Sequence, residues 1–405
     1  MLITRRLLLG TGAALAAPAI VRAQMARSSG GQPIRVGEIN SYTGQPAFTL
    51  PYRNGWMLAL EQINGAGGVG GRKLEFVSRD DAGRPQDAVR IAGELVNEAK
   101  VDLLAGTFLS NVALAVSDFA RENKKLFVAG EPLTDALIWD KGNRYTFRLR
   151  PCTYEQARML ADPAAKLGAK RWATVAPNYE YGQSAVKWFK QMLQAAQPDV
   201  QFVGEQWPAL GRIDAGATAQ ALQQMQPDAI FNVTFGADLT NFVRQGNTRG
   251  LFEKRAVVSM LTGEPEYLDP LGDETPEGWI VTGYPWDSIT TTENKTFASA
   301  YRAKYAEAPR MGSVVGFALV HSIVAGLQQA KSTETEAMIG GFEGAHFDTP
   351  FGRAQYRAID HQSTLGAFVG KLAVKNGRGT MTDWHYVDGA AALPSDAEVK
   401  KLRGT

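Results

Sequence analysis

The chain has one cysteine, Cys152, among 405 residues. No intramolecular disulfide can form, so stability has to come from packed cores even in an oxidising compartment. Histidine is almost as scarce. His321, His346, His361 and His385 are scattered, and with a single cysteine they offer no metal-ligand spacing. An excess of one charge is missing too, with 43 Lys and Arg against 41 Asp and Glu. That balance leaves no basic field to attract nucleic acid or an anionic membrane. Past the N-terminal segment no low-complexity tract, charged tail or stretch that reads as a membrane span follows.

The N-terminus reads as a targeting segment and stands apart from the fold. Thr4-Arg5-Arg6-Leu7-Leu8-Leu9 supplies a charged start, and Leu7 to Ile20 is a mild apolar run, too short to span a bilayer as a helix. Val21-Arg22-Ala23 before Gln24 suits a signal peptidase, so residues 1–23 are read as a signal peptide. The paired arginines behind a threonine resemble a twin-arginine signal, with Leu8 where that pattern prefers Phe; an ordinary secretory signal fits as well. No cysteine follows the cleavage site to carry a lipid anchor. Cleavage removes three arginines and no acid, moving the formal charge from +2 to −1. About 380 residues remain, enough for two or three domains.

One glycine run invites a cofactor reading. Gly65-Ala66-Gly67-Gly68-Val69-Gly70 matches G-x-G-x-x-G, the pattern of a dinucleotide-binding loop. Such a loop follows a strand and opens a helix, so that the helix N-terminus faces the phosphate. Here Trp56, Leu60 and Ile63 have helical spacing before the run, and Leu74 to Ser78 alternate as a strand after it. The order is helix, turn, strand, so the glycines are expected to end a helix. No cofactor is expected.

Around that turn strand and helix patterns alternate. Ile34–Ile39, Leu74–Ser78, Val101–Ala105 and Leu126–Ala129 read as strands, separated by helices over Tyr52–Ile63, Pro85–Ala99 and Val112–Glu122. This is a series that makes a mainly parallel sheet covered on both faces. A second series runs from Trp172 to Met260. Two series with no long linker imply two similar α/β lobes. Helices at Thr296–Tyr305 and Val314–Ala330, then short strands at Gln355–Arg357, Gly366–Val374 and Trp384–Val387, complete the pattern.

A set of segments in order then becomes informative. Ile34-Arg35-Val36-Gly37, Tyr42-Thr43-Gly44, Asn54-Gly55, Ile63 to Val69, Gly71-Arg72, Asp80-Asp81, Asn178-Tyr179-Glu180-Tyr181-Gly182 and the apolar Gly316–Ala330 resemble one family. Together they resemble the leucine/isoleucine/valine-binding type of periplasmic solute-binding protein that serves ABC importers. The resemblance covers nearly all of the mature chain. It implies an α/β fold of two Rossmann-like lobes with parallel-type sheets joined by a hinge. Lobe one would comprise residues 34–150 with 287–347, and lobe two 151–286 with 348–392.

The resemblance also implies the ligand contacts. Ser110 and Asn111, at the turn Gly106 to Asn111, stand where the family holds a ligand's carboxylate. Independently of that analogy, a hydroxyl and free N–H groups at a helix N-terminus suit an anion, although Ser110 would equally cap its helix. Glu131 and Thr134 match a second lobe-one loop. Tyr181 and Phe235 match aromatics that close from lobe two, and Glu264 lies near the acid that receives an ammonium group. Phe48, in the loop after Gly44, is a candidate side wall. Asp80 and Asp81 read as loop-forming acids in preference to a metal pair.

The implied activity is capture of a small carboxylate-bearing metabolite, an amino acid or an aromatic acid, in the periplasm by hinge closure. Its partners would be that ligand and a membrane permease, and the protein would be a monomer that neither inserts in the membrane nor binds nucleic acid. A ligand-sensing subunit working with a receptor would use the same cleft. An exported enzyme would need a nucleophile–base pair, metal cluster or carboxylate dyad, and no G-x-S-x-G or H-E-x-x-H pattern occurs.

Overall fold

The structure, a computed structural model, describes residues 31–404; the segment read as a signal peptide lies outside the described residues. The first series builds a five-stranded sheet from β1 (Ile34–Asn40), β2 (Leu74–Asp80), β3 (Leu103–Gly106), β4 (Phe127–Ala129) and β5 (Thr146–Arg148). Its order is β2-β1-β3-β4-β5, and every neighbour is parallel. The crossovers are α1 (Pro46–Gly65), α2 (Pro85–Asn97) and α3 (Ser110–Glu122). Buried aliphatic runs such as Leu103-Leu104-Ala105 are what a sheet covered on both faces requires.

The second sheet contains β6 (Arg171–Val175), β7 (Gln201–Gln206), β8 (Ala229–Asn232), β9 (Ala256–Gly263) and β10 (Ile280–Gly283). It is reached through α4 (Thr153–Ala165) and interleaved with α5 (Glu180–Ala196), α6 (Ala215–Gln224), α7 (Gly236–Thr248) and the one-turn α8 (Pro265–Leu268). After β10 the chain leaves this sheet for α9 (Thr292–Tyr305), α10 (Met311–Ala330) and α11 (Thr335–Phe342). A small hairpin, β11 (His346–Thr349) and β12 (Gly352–Gln355), packs on α10. The chain then rejoins the second sheet with β13 (Ala367–Lys375) and β14 (Arg378–Val387). The resulting order is β14-β13-β10-β9-β8-β6-β7. The tail strands thus form one antiparallel hairpin on the edge of an otherwise parallel sheet.

The α10 helix is long and apolar enough to cross a membrane by length and composition, but most of it is buried inside the protein. It crosses α1 at backbone contact: a Cβ built on Gly316 would lie 2.0 Å from the Tyr52 carbonyl oxygen, and one on Gly55 2.1 Å from that of Ser313. Only glycine permits this approach. The long apolar helix is therefore core of the first lobe, as α1 is.

The glycine run forms the turn expected of it. Helix α1 ends at Gly65, and Gly67, Gly68, Gly70 and Gly71 all have positive φ before β2 begins. The start of α1 differs from the sequence reading. The helix begins at Pro46, in the N-terminal position that tolerates proline, and continues through Pro51. Phe48 therefore sits buried in its first turns and not in a loop.

The chain passes between the two sheets three times: after β5, after β10 and after β12. The first and third passages lie side by side. Arg148 N–H donates to the His361 carbonyl (3.1 Å), and Ser363 N–H to that of Arg148 (2.9 Å). The buried Arg148 guanidinium bonds the Gln362 side chain at 2.5 Å and also the Thr134 carbonyl. These two bonds tie the end of β5 to the third passage and to the loop after β4.

Candidate functional site

Parallel strands of both sheets end toward a common crevice, the usual place for a ligand in open α/β sheets. A small cavity lies there. From lobe one it is lined by Phe108 and Ser110 after β3, and by Glu131 and Leu133 after β4. Lobe two supplies Tyr179 and Tyr181 after β6, Phe235 after β8, and Leu261 in β9. Arg150, on the first passage, completes the wall. Two non-glycine residues near this crevice hold left-handed backbone, Thr107 (φ 64°) and Leu261 (φ 66°). Strain of this type persists where the surrounding fold imposes it, commonly at binding sites.

The apolar part of the wall is aromatic. The Phe235 ring centroid lies 6.0 Å from Phe108 and 5.7 Å from Tyr181, both edge-on, while Phe108 leans on Phe48 at 5.2 Å. Phe108–Phe235 is thus a direct contact between lobes. Other contacts join the lobes around it. Thr134 Oγ1 donates to Glu180 (2.9 Å), Ser184 Oγ donates to Asp135, and Arg310 pairs with Asp269 at 3.1 Å. The Glu266 carboxylate accepts the N–H groups of Met311 (3.1 Å) and Gly312 (2.6 Å) at the start of α10. An anion at a helix N-terminus meets both unpaired donors and the positive end of the helix dipole. The lobes are closed on each other.

The polar groups at and just behind the wall are largely buried charge. Arg150 and Glu264 are each 2 % exposed and form an ion pair through Nη2 and Oε1. The guanidinium also stands 4.9 Å over the Phe48 ring. Burial pushes the Glu264 carboxyl up to about 8, against the pull of Arg150. Glu131 takes a 2.6 Å hydrogen bond from Asn40 Nδ2 on Oε1. Its own burial raises it well above the carboxylate range, outweighing the Asn40 bond and the Arg150 charge. Glu131 Oε2 and the Tyr181 hydroxyl have no hydrogen-bond partner, and burial holds the Tyr181 phenol protonated.

The sequence candidates fall into two groups. Ser110, Glu131, Tyr181 and Phe235 share the cavity wall. Ser110 does not cap its helix; Leu109 holds that position, and the Ser110 hydroxyl accepts the Thr134 N–H at 3.2 Å. Asn111, Thr134, Glu264 and Phe48 stand behind the wall. Thr134 caps a short 3-10 turn, Asp135–Leu137, while reaching Glu180. Asn111 is half-buried with an unpartnered Oδ1. Asp80 and Asp81 bind loop groups: Asp80 takes Thr43 and the Ala82 N–H, and Asp81 takes Ser41 and the Gly83 N–H.

Sequence reasoning missed Arg150, along with Phe108, Leu133 and Leu261. The signal for Arg150 was faint: two arginines, Arg148 and Arg150, flank Leu149 just before Pro151. Tyr179 was within reach, since it belongs to the same tyrosine-rich segment as Tyr181.

A family model described as periplasmic binding protein matches residues 33–378. The leucine-, isoleucine-, valine-, threonine- and alanine-binding protein of Pseudomonas aeruginosa is 26% identical over 338 residues, covering 82% of this chain and 84% of that relative. Among solved structures, a solute-binding protein of an ABC transporter from Rhodopseudomonas palustris, in complex with 3,4-dihydroxybenzoic acid, superposes with a TM-score of 0.80 at 23% identity, covering 88% of this chain and 98% of that one. A branched-chain amino acid transporter substrate-binding protein from Streptococcus pneumoniae, in complex with isoleucine, gives 0.76 at 21% identity over 88% and 99%. With its two parallel-sheet lobes closed over an interlobe cavity and a family match spanning most of its length, this chain belongs to the periplasmic binding protein family.

Proposed function

We propose that this protein is an exported substrate-binding component of an ABC importer, capturing a small carboxylate-bearing metabolite, an amino acid or an aromatic acid, by hinge closure. The observation that carries this reading is the interlobe cavity. Both lobes wall it, and Arg150, Glu131 and the Tyr181 hydroxyl line it with unused hydrogen-bonding capacity. A ligand touching both walls stabilises the closed state by its differential affinity for that state.

In this reading Ser110, Glu131, Tyr181 and Phe235 touch the ligand. Phe48, Asn111, Thr134 and Glu264 set the positions of those that do. Lobe one is residues 34–150 with 287–347 and lobe two 151–286 with 348–392; the β11–β12 hairpin straddles the last boundary. The protein works in the periplasm as a monomer and delivers its ligand to a membrane permease. The names of relatives support both ligand classes, one bound to isoleucine and another to 3,4-dihydroxybenzoic acid.

A thermal-shift panel of amino and aromatic acids tests the reading, because a ligand bound only by the folded state raises the melting temperature. At least one member should raise it, and small-angle scattering with that compound should show compaction. A flat panel across both classes would remove the ligand class, and identical scattering profiles would remove hinge closure.

A further inference from the structure

The first passage between the lobes carries a charge pair with a definite orientation. Among the described residues, the bond from Nη2 to Glu264 is the only hydrogen bond made by the Arg150 side chain, so Nε and Nη1 keep their donors. Arg150 lines the cavity, whereas Glu264 does not. The pair turns its cation toward the cavity and keeps its anion behind.

We propose, resting on the reading of this cavity as a ligand site, that Arg150 receives the carboxylate of a ligand without an α-ammonium group, so that the protein takes aromatic carboxylates in preference to free α-amino acids. A guanidinium is a planar fork of donors matched to a carboxylate, and with Glu264 on one nitrogen and Phe48 under its face its orientation is held in advance. With Arg150 itself buried, that charge-assisted pair is stronger than in solvent.

The ammonium of an α-amino acid finds no equivalent. Glu264, the acid placed for it by family resemblance, is engaged by Arg150 and lies off the wall. Among the described residues Glu131 is the sole carboxyl lining the cavity, and one of its oxygens is taken by Asn40. Burial favours its neutral form, a hydrogen-bond donor with no charge to offer. An ammonium brought beside Arg150 without an ionised partner would lose its hydration uncompensated. A planar ring meets better conditions. Phe108, Phe235 and Tyr181 line the cavity with rings packed edge-on against one another, an apolar wall suited to a further ring. The free Tyr181 hydroxyl and Glu131 Oε2 suit a hydroxyl on such a ring.

Calorimetry on the purified protein with 4-hydroxybenzoate, 4-hydroxybenzamide, leucine and phenylalanine tests this without any variant. The acid should bind at least about tenfold more tightly than its neutral amide and than either amino acid. Tighter binding of leucine or phenylalanine would overturn the inference while leaving the solute-binding reading in place. Binding of none of the four, with a flat thermal-shift panel, would overturn both. The double variant Arg150→Met/Glu264→Gln removes both charges together and so strands neither in the interior. It should erase the preference for acid over amide; a preference that survives would move the carboxylate site off Arg150 and overturn the assignment.

Discussion

The two lobes meet at one cavity but build their sides of it from different chemistry. At the cavity end of its sheet, lobe one buries acids: Glu38 on β1, Asp81 just after β2 and Glu131 after β4. Lobe two places mostly neutral groups at the corresponding strand ends, and its acid there, Glu264 after β9, is paired with Arg150. Asn232 donates to Ser259 (2.8 Å), Ser259 and Thr262 share a 2.6 Å hydrogen bond, and Thr282 donates to Gln156 (2.9 Å). That network largely closes on itself. In lobe one, Glu38 Oε1, Asp81 Oδ2 and Glu131 Oε2 stay unpartnered. At the cavity wall the division continues, with Ser110 and Glu131 from lobe one facing Tyr179, Tyr181 and Phe235 from lobe two. One lobe is a polar, titratable floor, and the other an aromatic cover that keeps the Tyr181 hydroxyl free at the cavity. Orientation of a ligand would come from the first and burial of its apolar surface from the second.

The largest expected effect tests the cover. Tyr181→Ala should weaken binding of whichever compound stabilises the wild type, 4-hydroxybenzoate or leucine, by about 2–3 kcal/mol, the scale of a central aromatic contact. Its circular dichroism should remain native. Unchanged affinity in calorimetry would take Tyr181 out of the cover.

The next tests the titratable floor. Burial, the dominant cause, lifts the Glu38 carboxyl from 4.5 to about 8, against hydrogen bonds from Ser78 and Tyr42. The folded state therefore holds this proton more tightly than the unfolded chain. Its stabilising contribution is complete below the unfolded value and is lost as pH rises through the folded one, at no more than about 1.4 kcal/mol per pH unit. Between about pH 5 and 8, Glu38→Gln should flatten the decline of unfolding free energy, whereas Asn232→Ser, which removes no titratable group, should leave the slope alone. Equal slopes in wild type and Glu38→Gln would take Glu38 out of the titratable floor.

The smallest effect is expected at Ser110→Ala, which removes the acceptor of the Thr134 N–H. A cost of about 1 kcal/mol in urea unfolding is typical of one such bond. A loss of ligand affinity exceeding that of Tyr181→Ala would reverse the ranking of floor and cover.

Much of the fold could be read locally, and the exceptions have identifiable causes. The glycine run was read as a turn because the helix before it and the strand after it have distinct periods. The start of α1 was missed because Pro51 looks like a beginning, although it lies inside the helix that Pro46 opens. Ser110 was legible as a residue near a helix start, but its bond to Thr134 joins two loops 24 positions apart. Arg150 was the costliest omission. Its partner is 114 positions away, so nothing in its neighbourhood marks it as buried.

The sequence by itself determined the α/β alternation, the turn after α1, the lack of disulfides and the aromatics available for a cavity, because each follows from residue type and short-range period. Tertiary structure decided which of those residues share a wall, that the tail strands pair antiparallel, and that Arg150 turns to the cavity with Glu264 behind it. Those outcomes depend on groups far apart in the chain being brought together out of water. There, the energy of a charge is set by what surrounds it, and only the folded chain supplies the surroundings.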